Sequence, residues 1–392
     1  MKLPVDNVTG DTFRPALSLP RSVYIHVPFC RHRCGYCNFS VVAGRDYLVE
    51  RYLNAIETEI GWLTDRYEID TLFLGGGTPS HLSPANLEHL MASIKARFDL
   101  ADGAEVTAEC NPNDLDASTA AALAAGGVNR ISLGVQSLDE GKLKSLERDH
   151  DREDVQRAVE RAKSFASSVS VDLIFAAPGE SLDGWRRDLD AALELQTDHV
   201  SAYELTYEKG TQFWNRLNTK TIIEADEDTR ADMYTHAINR LSEAGLAQYE
   251  ISSFARDGHR CRHNEVYWNG EPYFAFGPSG ARFVDGVREM NHLSTMKYFK
   301  QVEAGERPVD FREQLAPEPA ARERLAIALR HVDGVECERF QLQTGFSVTQ
   351  LLGENGAAWQ EQGLLDLNDR VRLTAAGRMI YNHIVSMIEQ TA

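Results

Sequence analysis

Short apolar runs alternate with segments of helical periodicity along the first two thirds of the chain. Between residues 22 and about 255, each of six apolar runs precedes a segment whose apolar positions recur every three to four residues. The predicted strands are Val23–Val27, Thr71–Leu74, Glu105–Glu109, Arg130–Gly134, Val169–Phe175 and His199–Leu205. Repeated strand–helix units predict a parallel sheet that right-handed crossovers curl toward a barrel. Six units are fewer than a closed barrel needs, so we predict an α/β fold with an open, three-quarter βα barrel.

Local signals define several helix ends within this pattern. Ser83 is a suitable N-cap for a helix over Pro84–Phe98, because proline is favoured at the first helical position. A longer helix is predicted over Asp226–Gly245, and the strand-like run Tyr249–Phe254 follows it. These two elements close the barrel region.

The pattern changes after residue 255, and four regions are predicted. They are an N-terminal extension at 1–21, the barrel at 22–255, a loop-rich region at 256–292 and a mostly helical C-terminal domain at 293–392. The last domain ends in two short strand-like runs and a helix over Ala375–Ile388, which resembles a winged helix. In an acidic chain, we interpret this element as a packing or partner-contact surface and not as a nucleic-acid site.

Polar and glycine residues collect where the predicted strands end. The cysteine run follows strand one, a glycine turn follows strand two, and four further sites follow or end the later strands. Those four are Glu109, Gln136, Asp172 and Tyr203-Glu204. Parallel α/β folds place their active sites at this edge of the sheet, so we expect these residues to surround one site.

Composition and charge narrow the class of protein. The chain has 392 residues, 43% of them hydrophobic, which is enough for a sizeable core and two or three domains. Its net charge of −18 argues against binding along a nucleic-acid backbone. We see neither a membrane-spanning run nor a signal peptide, and six grouped cysteines indicate a reducing compartment, so we expect a cytoplasmic protein. Arg31 and Arg33 form a local basic patch, either solvated or attractive to a carboxylate ligand.

Three cysteines on one short loop carry the most specific chemistry. Cys30, Cys34 and Cys37 form a C-x3-C-x2-C run that can hold three irons of a four-iron cluster. The fourth iron then lacks a thiolate, and an open coordination position is where a substrate or cofactor binds. The alternatives are a disulfide or a zinc site, for which His32 could supply a fourth ligand.

The cysteine run and the glycine turn together resemble the radical S-adenosylmethionine (radical SAM) superfamily. The turn reads Gly75-Gly-Gly-Thr-Pro79 directly after a predicted strand. The resemblance implies a [4Fe-4S] cluster on Cys30, Cys34 and Cys37, whose open iron chelates S-adenosylmethionine (SAM).

Further motifs resemble the coproporphyrinogen-oxidase-type branch of that superfamily, the HemN/HemW family. They are Tyr24-Ile-His-Val-Pro-Phe-Cys30, Glu109-Cys-Asn-Pro112, Asn129-Arg-Ile-Ser-Leu-Gly-Val-Gln-Ser137 and Asp172-Leu-Ile-Phe-Ala-Ala-Pro-Gly179. The match spans about residues 22–290, in motif order. It implies a SAM pocket built from Tyr24, Tyr36, Gly75, Gly76, Gly77, Thr78, Glu109, Gln136, Arg148 and Asp172. The alternative is that these residues only cap helices or pack in the core.

Two features separate the haem-chaperone side of this branch from the oxidase side. The oxidase side has the pattern C-x3-C-x2-C-x-C, and in this chain Phe39 stands at the position of its fourth cysteine. The chain also has an H-N-x-x-Y-W motif, which the resemblance associates with haem binding. Its candidate haem residues are His263, Asn264, Tyr267 and Trp268. His263 could ligate haem iron and the aromatics could stack on a porphyrin; the alternative is a packed loop.

Two positions depart from the family pattern. Gly280-Ala281-Arg282-Phe283 stands where the family often has Gly-Ala-His-Ser, so Arg282 replaces a histidine that would serve haem. Arg282 could instead pair with a haem propionate. Ala176-Ala177-Pro178 stands where the family usually has Gly-Leu-Pro, a milder change.

The resemblance implies a haem chaperone with a [4Fe-4S] cluster, SAM and haem as cargo. Its implied partners are haem and an acceptor haem protein, such as a membrane respiratory protein. A homodimer is possible, and no nucleic-acid partner is implied. The second hypothesis is an oxygen-independent coproporphyrinogen III oxidase, a radical-SAM oxidoreductase of porphyrin biosynthesis, and a radical-SAM methylase is a third. Whether the chain is an enzyme stays open at this point.

Overall fold

A computed structural model describes residues 19–390. Most of the predicted N-terminal extension, residues 1–18, lies outside this range. Contacts divide the described chain into two compact units, Pro20–Gln314 and a second unit that begins at Leu315. Of the helices in this range, none combines the length and apolar character that a bilayer span requires.

One large sheet dominates the first unit. The strands of this unit are β1 (Ser22–Val27), β2 (Phe29–Cys30), β3 (Val42–Ala43), β4 (Tyr67–Gly76), β5 (Phe98–Cys110), β6 (Arg130–Gln136), β7 (Ser168–Phe175), β8 (His199–Glu204), β9 (Ala247–Glu250), β10 (Ser253–Ala255), β11 (Phe274–Phe276), β12 (Ala281–Val284), β13 (Val287–Asn291) and β14 (Val309–Glu313). Nine of them form a sheet in the order β11-β1-β4-β5-β6-β7-β8-β10-β9. The pairs from β11 to β8 are parallel and β10 joins antiparallel. The predicted partial barrel is therefore confirmed, with added strands at both edges.

Ten α-helices belong to the first unit, Pro20–Gln314, and most of them cover the outer face of this sheet. They are α1 (Val49–Gly61), α2 (Pro84–Lys95), α3 (Ala117–Gly126), α4 (Glu140–Ser145), α5 (Arg152–Lys163), α6 (Leu182–Glu194), α7 (Gln212–Asn218), α8 (Glu227–Glu243), α9 (Arg262–Trp268) and α10 (Thr295–Glu303). The predicted cap of α2 is confirmed, because the Ser83 side chain accepts a hydrogen bond from the Asn86 amide. This cap satisfies one of the amide groups that a helix start leaves without a partner.

Alternation along each strand separates a helix-packed face from an interior face. On β1, Val23 and Ile25 belong to the main core and have no exposed area. Tyr24 and His26 point the other way, because successive side chains of a strand face opposite sides. The same alternation puts apolar residues of the other parallel strands under the helices and leaves polar residues, including Glu109, to line the barrel interior.

The region predicted as loops, residues 256–292, is instead folded. It contains α9, the edge strand β11, and strands β12 and β13, which form a three-stranded sheet with β14. The division between the two units also lies beyond the predicted boundary at 293. Helix α10 explains the difference, because its Tyr298 and Phe299 are fully buried in the core of the first unit.

The second unit has its own hydrophobic core and a small sheet. Its elements are α11 (Pro317–Ala328), β15 (Val335–Glu336), α12 (Cys337–Thr344), α13 (Val348–Glu361), β16 (Leu365–Leu367), β17 (Arg370–Leu373), α14 (Ala375–Met379) and α15 (Tyr381–Gln390). The sheet order is β15-β17-β16. The predicted helix over Ala375–Ile388 is broken, because Ile380 leaves the helical conformation with φ −114° and ψ 27°.

Candidate functional site

The cysteine loop begins at the carboxyl end of β1. Cys30 ends β2, which pairs with β3 beside it. The Thr78 hydroxyl donates to Cys30 Sγ at 3.4 Å. The Cys37 amide donates to the Cys34 carbonyl at 3.1 Å, which closes a turn between the last two cysteines. All three cysteines are free of disulfides and share one short loop at the expected sheet edge.

Burial makes the thiols of Cys30 and Cys37 poor anions. It is the main cause that raises the pKa of Cys30 to about 11, although the Thr78 hydroxyl lowers it, and burial also raises the pKa of Cys37. Within residues 19–390, no three His, Cys, Asp or Glu side chains converge on the position of a single metal ion. Three separated soft thiols fit the separate irons of a cluster better than they fit one tetrahedral zinc ion.

The glycine turn lies directly against the cysteine strand. Gly76 has a φ of +106°. A Cβ at this position would lie only 2.4 Å from the nearest atoms of the His26 ring. A Cβ on Gly77 would lie 2.7 Å from the carbonyl oxygens of Val27 and Phe29. The Gly77 amide donates to the Val27 carbonyl at 2.8 Å. Only residues without side chains allow this approach, so the turn forms a close backbone wall beside the cluster loop.

Two buried carboxyl groups face the barrel interior next to this turn. Glu109 Oε2 accepts from the Gly76 amide at 2.9 Å, and Asp172 accepts from the Ser132 hydroxyl at 3.1 Å. Burial is the main cause that raises the pKa of Glu109 to about 7, and the Asp172 charge adds to it. Burial likewise raises the pKa of Asp172. Neither has an ion-pair partner among residues 19–390, so the pocket suits a cationic ligand such as a sulfonium.

Three further residues of the implied SAM pocket lie around the same edge. Arg148 Nη2 donates to the Gly134 carbonyl at 2.7 Å, and Nη1 reaches Cys34 Sγ at 3.6 Å. Its Nε is buried and has no hydrogen-bond partner within the described range, which leaves a donor for a ligand. Gln136 ends β6 in the left-handed region with a φ of +65°. Tyr36 packs edge-on against Phe213, with ring centroids 6.0 Å apart.

Helix α7 holds the cysteine loop from outside, and the sequence alone did not indicate this role. The Phe213 amide donates to the Gly35 carbonyl at 2.9 Å. Arg216 forms an ion pair with Glu147 at 2.6 Å, and the Glu147 carbonyl contacts His32 Nε2 at 2.9 Å. These partners are far apart in sequence and carry no local motif.

His26 and a buried ion triad are two other positioning features. The His26 ring joins the Ser40 carbonyl, at 2.9 Å, to the glycine turn, and burial lowers the pKa of His26 to about 4. Alternation on β1 could have placed His26 beside Tyr24. Lys142 Nζ lies 2.6 Å from Glu180 and 3.0 Å from Asp188, which ties α4 to the loop after β7 and to α6.

Helix α9, which carries the H-N-x-x-Y-W motif, packs at the opposite end of the barrel. His263 Nδ1 lies 2.7 Å from Thr71 Oγ1, and its Nε2 lies 2.7 Å from the Tyr267 hydroxyl. Thr71 is level with Ser22, the first residue of β1, whereas the cysteine loop follows the last residue. The five residue-to-residue steps from Thr71 to Gly76 span roughly 16 Å of strand. The motif and the cysteine loop are therefore not brought together.

The haem residues expected from the sequence are engaged in packing. His263 has no exposed area, burial lowers its pKa to about 3, and both of its ring nitrogens have partners. The Tyr267 ring packs edge-on against Tyr273, with centroids 4.6 Å apart. Asn264 and Trp268 lie on the same helix. The His263 ring is therefore enclosed at the floor of the barrel, and haem ligation by His263 stays a prediction.

The two arginines of the cysteine loop differ from each other. Arg31 forms an ion pair with Asp114 at 2.9 Å. Arg33 is exposed, and its guanidinium reaches only the carbonyl oxygens of Cys37 and Phe39, at 3.4 and 3.5 Å, among the described residues. The predicted basic patch is thus half neutralised.

The parallel partial barrel, the three free cysteines at its carboxyl edge and the glycine turn beside them define a radical SAM protein. In agreement, the model of the Radical SAM superfamily matches residues 24–192. The model of the HemN C-terminal domain matches residues 315–380.

Curated relatives narrow this class. The heme chaperone HemW of Lactococcus lactis subsp. lactis (strain IL1403) is 34% identical over 361 residues, covering 91% of this chain and 93% of the relative. HemW of Bacillus subtilis (strain 168) is 33% identical and covers 93% and 98%. The solved coproporphyrinogen III oxidase HemN of Escherichia coli shares the fold, with a TM-score of 0.83, 21% identity and coverage of 95% and 91%. The chain belongs to the HemW family.

The raised pKa of Glu109 leads to a testable pH dependence. With a pKa of about 7, this carboxyl group is mostly neutral at pH 6 and mostly ionised at pH 8. Because a cationic ligand is attracted to the ionised form, SAM affinity should rise about tenfold across this interval and level off above it. Calorimetric titration of the reconstituted protein at pH 6, 7 and 8 measures it.

Glu109→Gln should flatten this pH profile, whereas Glu88→Gln, at an exposed position on α2, should keep it. Comparing variants removes the titration of SAM itself from the result. An identical pH slope in wild type and Glu109→Gln would contradict the assignment.

Proposed function

We propose that this protein is a haem carrier, which binds haem and passes it to an acceptor haem protein. The observation that supports it most is identity to HemW heme chaperones over more than nine tenths of the chain. The carrier holds a four-iron cluster and SAM at the carboxyl edge of its barrel.

The described residues support this cofactor assignment through their own chemistry. Cys30, Cys34 and Cys37 would hold the cluster as thiolates, and the glycine turn lets the backbone approach a ligand closely. Glu109 and Asp172 supply buried negative charge for a cationic ligand. When bound, a cluster and SAM supply one-electron reductive chemistry. The protein residues bind, orient and shield these groups.

Position 39 favours a carrier over an oxidase. The oxidase resemblance requires a cysteine two residues after Cys37, and this chain has Phe39 there. The Phe39 side chain is 61% exposed and contributes no donor to iron. Phe39 therefore replaces the fourth cysteine of the oxidase pattern and places an apolar side chain beside the cluster loop.

The acceptor and the compartment are also part of the proposal. We propose an acceptor among membrane respiratory haem proteins, which a homodimeric carrier would meet at the membrane surface. We place the carrier in the cytoplasm, because three free thiols on one short loop persist in a reducing compartment.

Anaerobic turnover tests the proposed function directly. The protein is reconstituted, its cluster and SAM binding are verified, and it is given reductant and coproporphyrinogen III. We expect no protoporphyrinogen, because the oxidase pattern is incomplete at Phe39. Catalytic formation of protoporphyrinogen with 5′-deoxyadenosine would overturn the carrier proposal and identify an oxidase. In the case of an oxidase, haem transfer from the haem-loaded protein to an apo-cytochrome should also be absent.

A further inference from the structure

A cavity of about 380 Å³ lies on the outer side of the barrel edge. Helix α1, strand β11 and the sheet β12–β14 surround it. The register of β11 on β1 puts Phe274 level with Val23 and Phe276 level with Ile25. Those positions face the helices, so the cavity is separated from the barrel interior and from the SAM pocket. Its volume falls within the range of small-molecule and cofactor sites.

Aromatic side chains form the inner wall of this cavity. Phe274 and Phe276 are buried and fixed by the edge strand. The Tyr67 ring meets Phe274 edge-on, with centroids 4.9 Å apart, and Trp62 completes the wall from α1. The Tyr67 hydroxyl has no hydrogen-bond partner among residues 19–390. This wall offers flat apolar area and one phenol oxygen, which suits a planar aromatic ligand.

Arginines converge on the opposite, more exposed side. Arg282 and Arg312 both pair with Glu289, at 2.6 and 3.0 Å. Arg312 keeps 68% of its side chain exposed despite this pair. Arg307 is exposed at the rim and forms no ion pair within the described residues. The lining holds three arginines and three carboxyl groups, so the groups that an incoming anion would meet are the exposed guanidiniums of Arg307 and Arg312.

The carboxyl groups at this cavity are largely engaged already. Glu59 accepts from the Gly277 amide, the Asn291 amide and the Tyr298 hydroxyl at 2.7 to 2.9 Å, and burial raises its pKa. Glu289 is shared by two arginines. Asp285 also lines the cavity, and its charge is opposite in sign to that of Arg307. Incoming carboxylates would therefore meet Arg307 and the exposed edge of Arg312, which can each form charge-assisted hydrogen bonds.

We propose that this cavity binds a porphyrin dicarboxylate, with the macrocycle on the aromatic wall, the carboxylates on Arg307 and Arg312, and Tyr67 as the ligand to haem iron. The proposal rests on the proposed haem-carrier function and names its cargo site. Tyrosine is an established axial ligand of haem iron. His263, the ligand that the sequence suggested, is enclosed at the barrel floor.

Porphyrin titrations of the full-length chain test this site. Haem and metal-free protoporphyrin IX are each titrated into wild type, Arg307→Glu, Val287→Trp and Tyr67→Phe. We expect Arg307→Glu to weaken both porphyrins about tenfold, since it replaces a charge-assisted contact with repulsion. Val287→Trp, which fills the cavity, should abolish both. Tyr67→Phe should change the ferric haem spectrum and weaken haem only.

Matched controls distinguish the site from the function. Arg187→Glu reverses an exposed charge on α6 and should bind as wild type does. If the wild-type chain binds no porphyrin, the carrier function fails and the site with it. If wild type binds haem and Arg307→Glu and Val287→Trp bind equally well, only the site is overturned. Loss of haem binding in His263→Gln alone would return the site to α9. Equal haem and protoporphyrin affinity in wild type would overturn the Tyr67 ligand.

Discussion

Alanine in place of Cys30, Cys34 or Cys37 is expected to abolish the four-iron absorption of the reconstituted protein. Each thiol is assigned one iron, and the loop offers no fourth sulfur, so a cluster with two protein ligands has no adequate hold. The loss should be nearly complete for each single variant. Iron and sulfide content, with visible absorption after anaerobic reconstitution, measures it.

Cys337→Ala is the matched control, because Cys337 is a free, partly exposed thiol in the second unit. This variant should keep the full absorption. Circular dichroism of the metal-free proteins should be unchanged in all four variants, which separates loss of the cluster from loss of fold. A complete cluster in any of the three loop variants would contradict the ligand assignment.

Gly77→Ala is expected to disrupt the SAM pocket and destabilise the first unit. The new Cβ would lie 2.7 Å from two backbone carbonyl oxygens, those of Val27 and Phe29, and backbone atoms cannot rotate away. Overpacking of this kind costs about 1–3 kcal/mol. Because the displaced strand leads into Cys30, SAM affinity should fall by at least about tenfold, which corresponds to about 1.4 kcal/mol. Denaturant unfolding and SAM titration measure the two effects.

Gly61→Ala makes the same chemical change where a Cβ meets open space, at the end of α1. Since alanine favours helix over glycine, this control should be neutral or slightly stabilising. If Gly77→Ala binds SAM and unfolds as Gly61→Ala does, the close approach of the turn to β1 is not required.

The barrel and its chemical edge were readable from the sequence for a physical reason. Each parallel strand is covered by helices on one face, so its residues form compact apolar runs between helical segments. The polar residues at the ends of those runs, such as Glu109 and Gln136, were then placed on one edge by topology alone. The N-cap at Ser83 was also readable, because its determinants lie within four residues.

Contacts between distant segments were not readable in the same way. The short strands β11 to β13 lie in the region predicted as loop-rich, because its glycines and prolines mark turns and its apolar runs are only a few residues long, and β14 lies in the region predicted as mostly helical. His263 was judged by its motif, whereas its surroundings come from Thr71 on a strand far earlier in the chain.

The pairing of β11 with β1 has a consequence for the order of synthesis. Strand β1 is translated first, but its outer neighbour consists of residues 274–276 and emerges much later. Until then β1 is an open strand edge, and open edges pair readily with other chains. The loop that follows β1 is therefore among the earliest parts to leave the ribosome and among the last to gain its complete surroundings. Iron that bound before β11 had paired with β1 would meet an incomplete sheet. We therefore expect the sheet to form before the cluster is inserted.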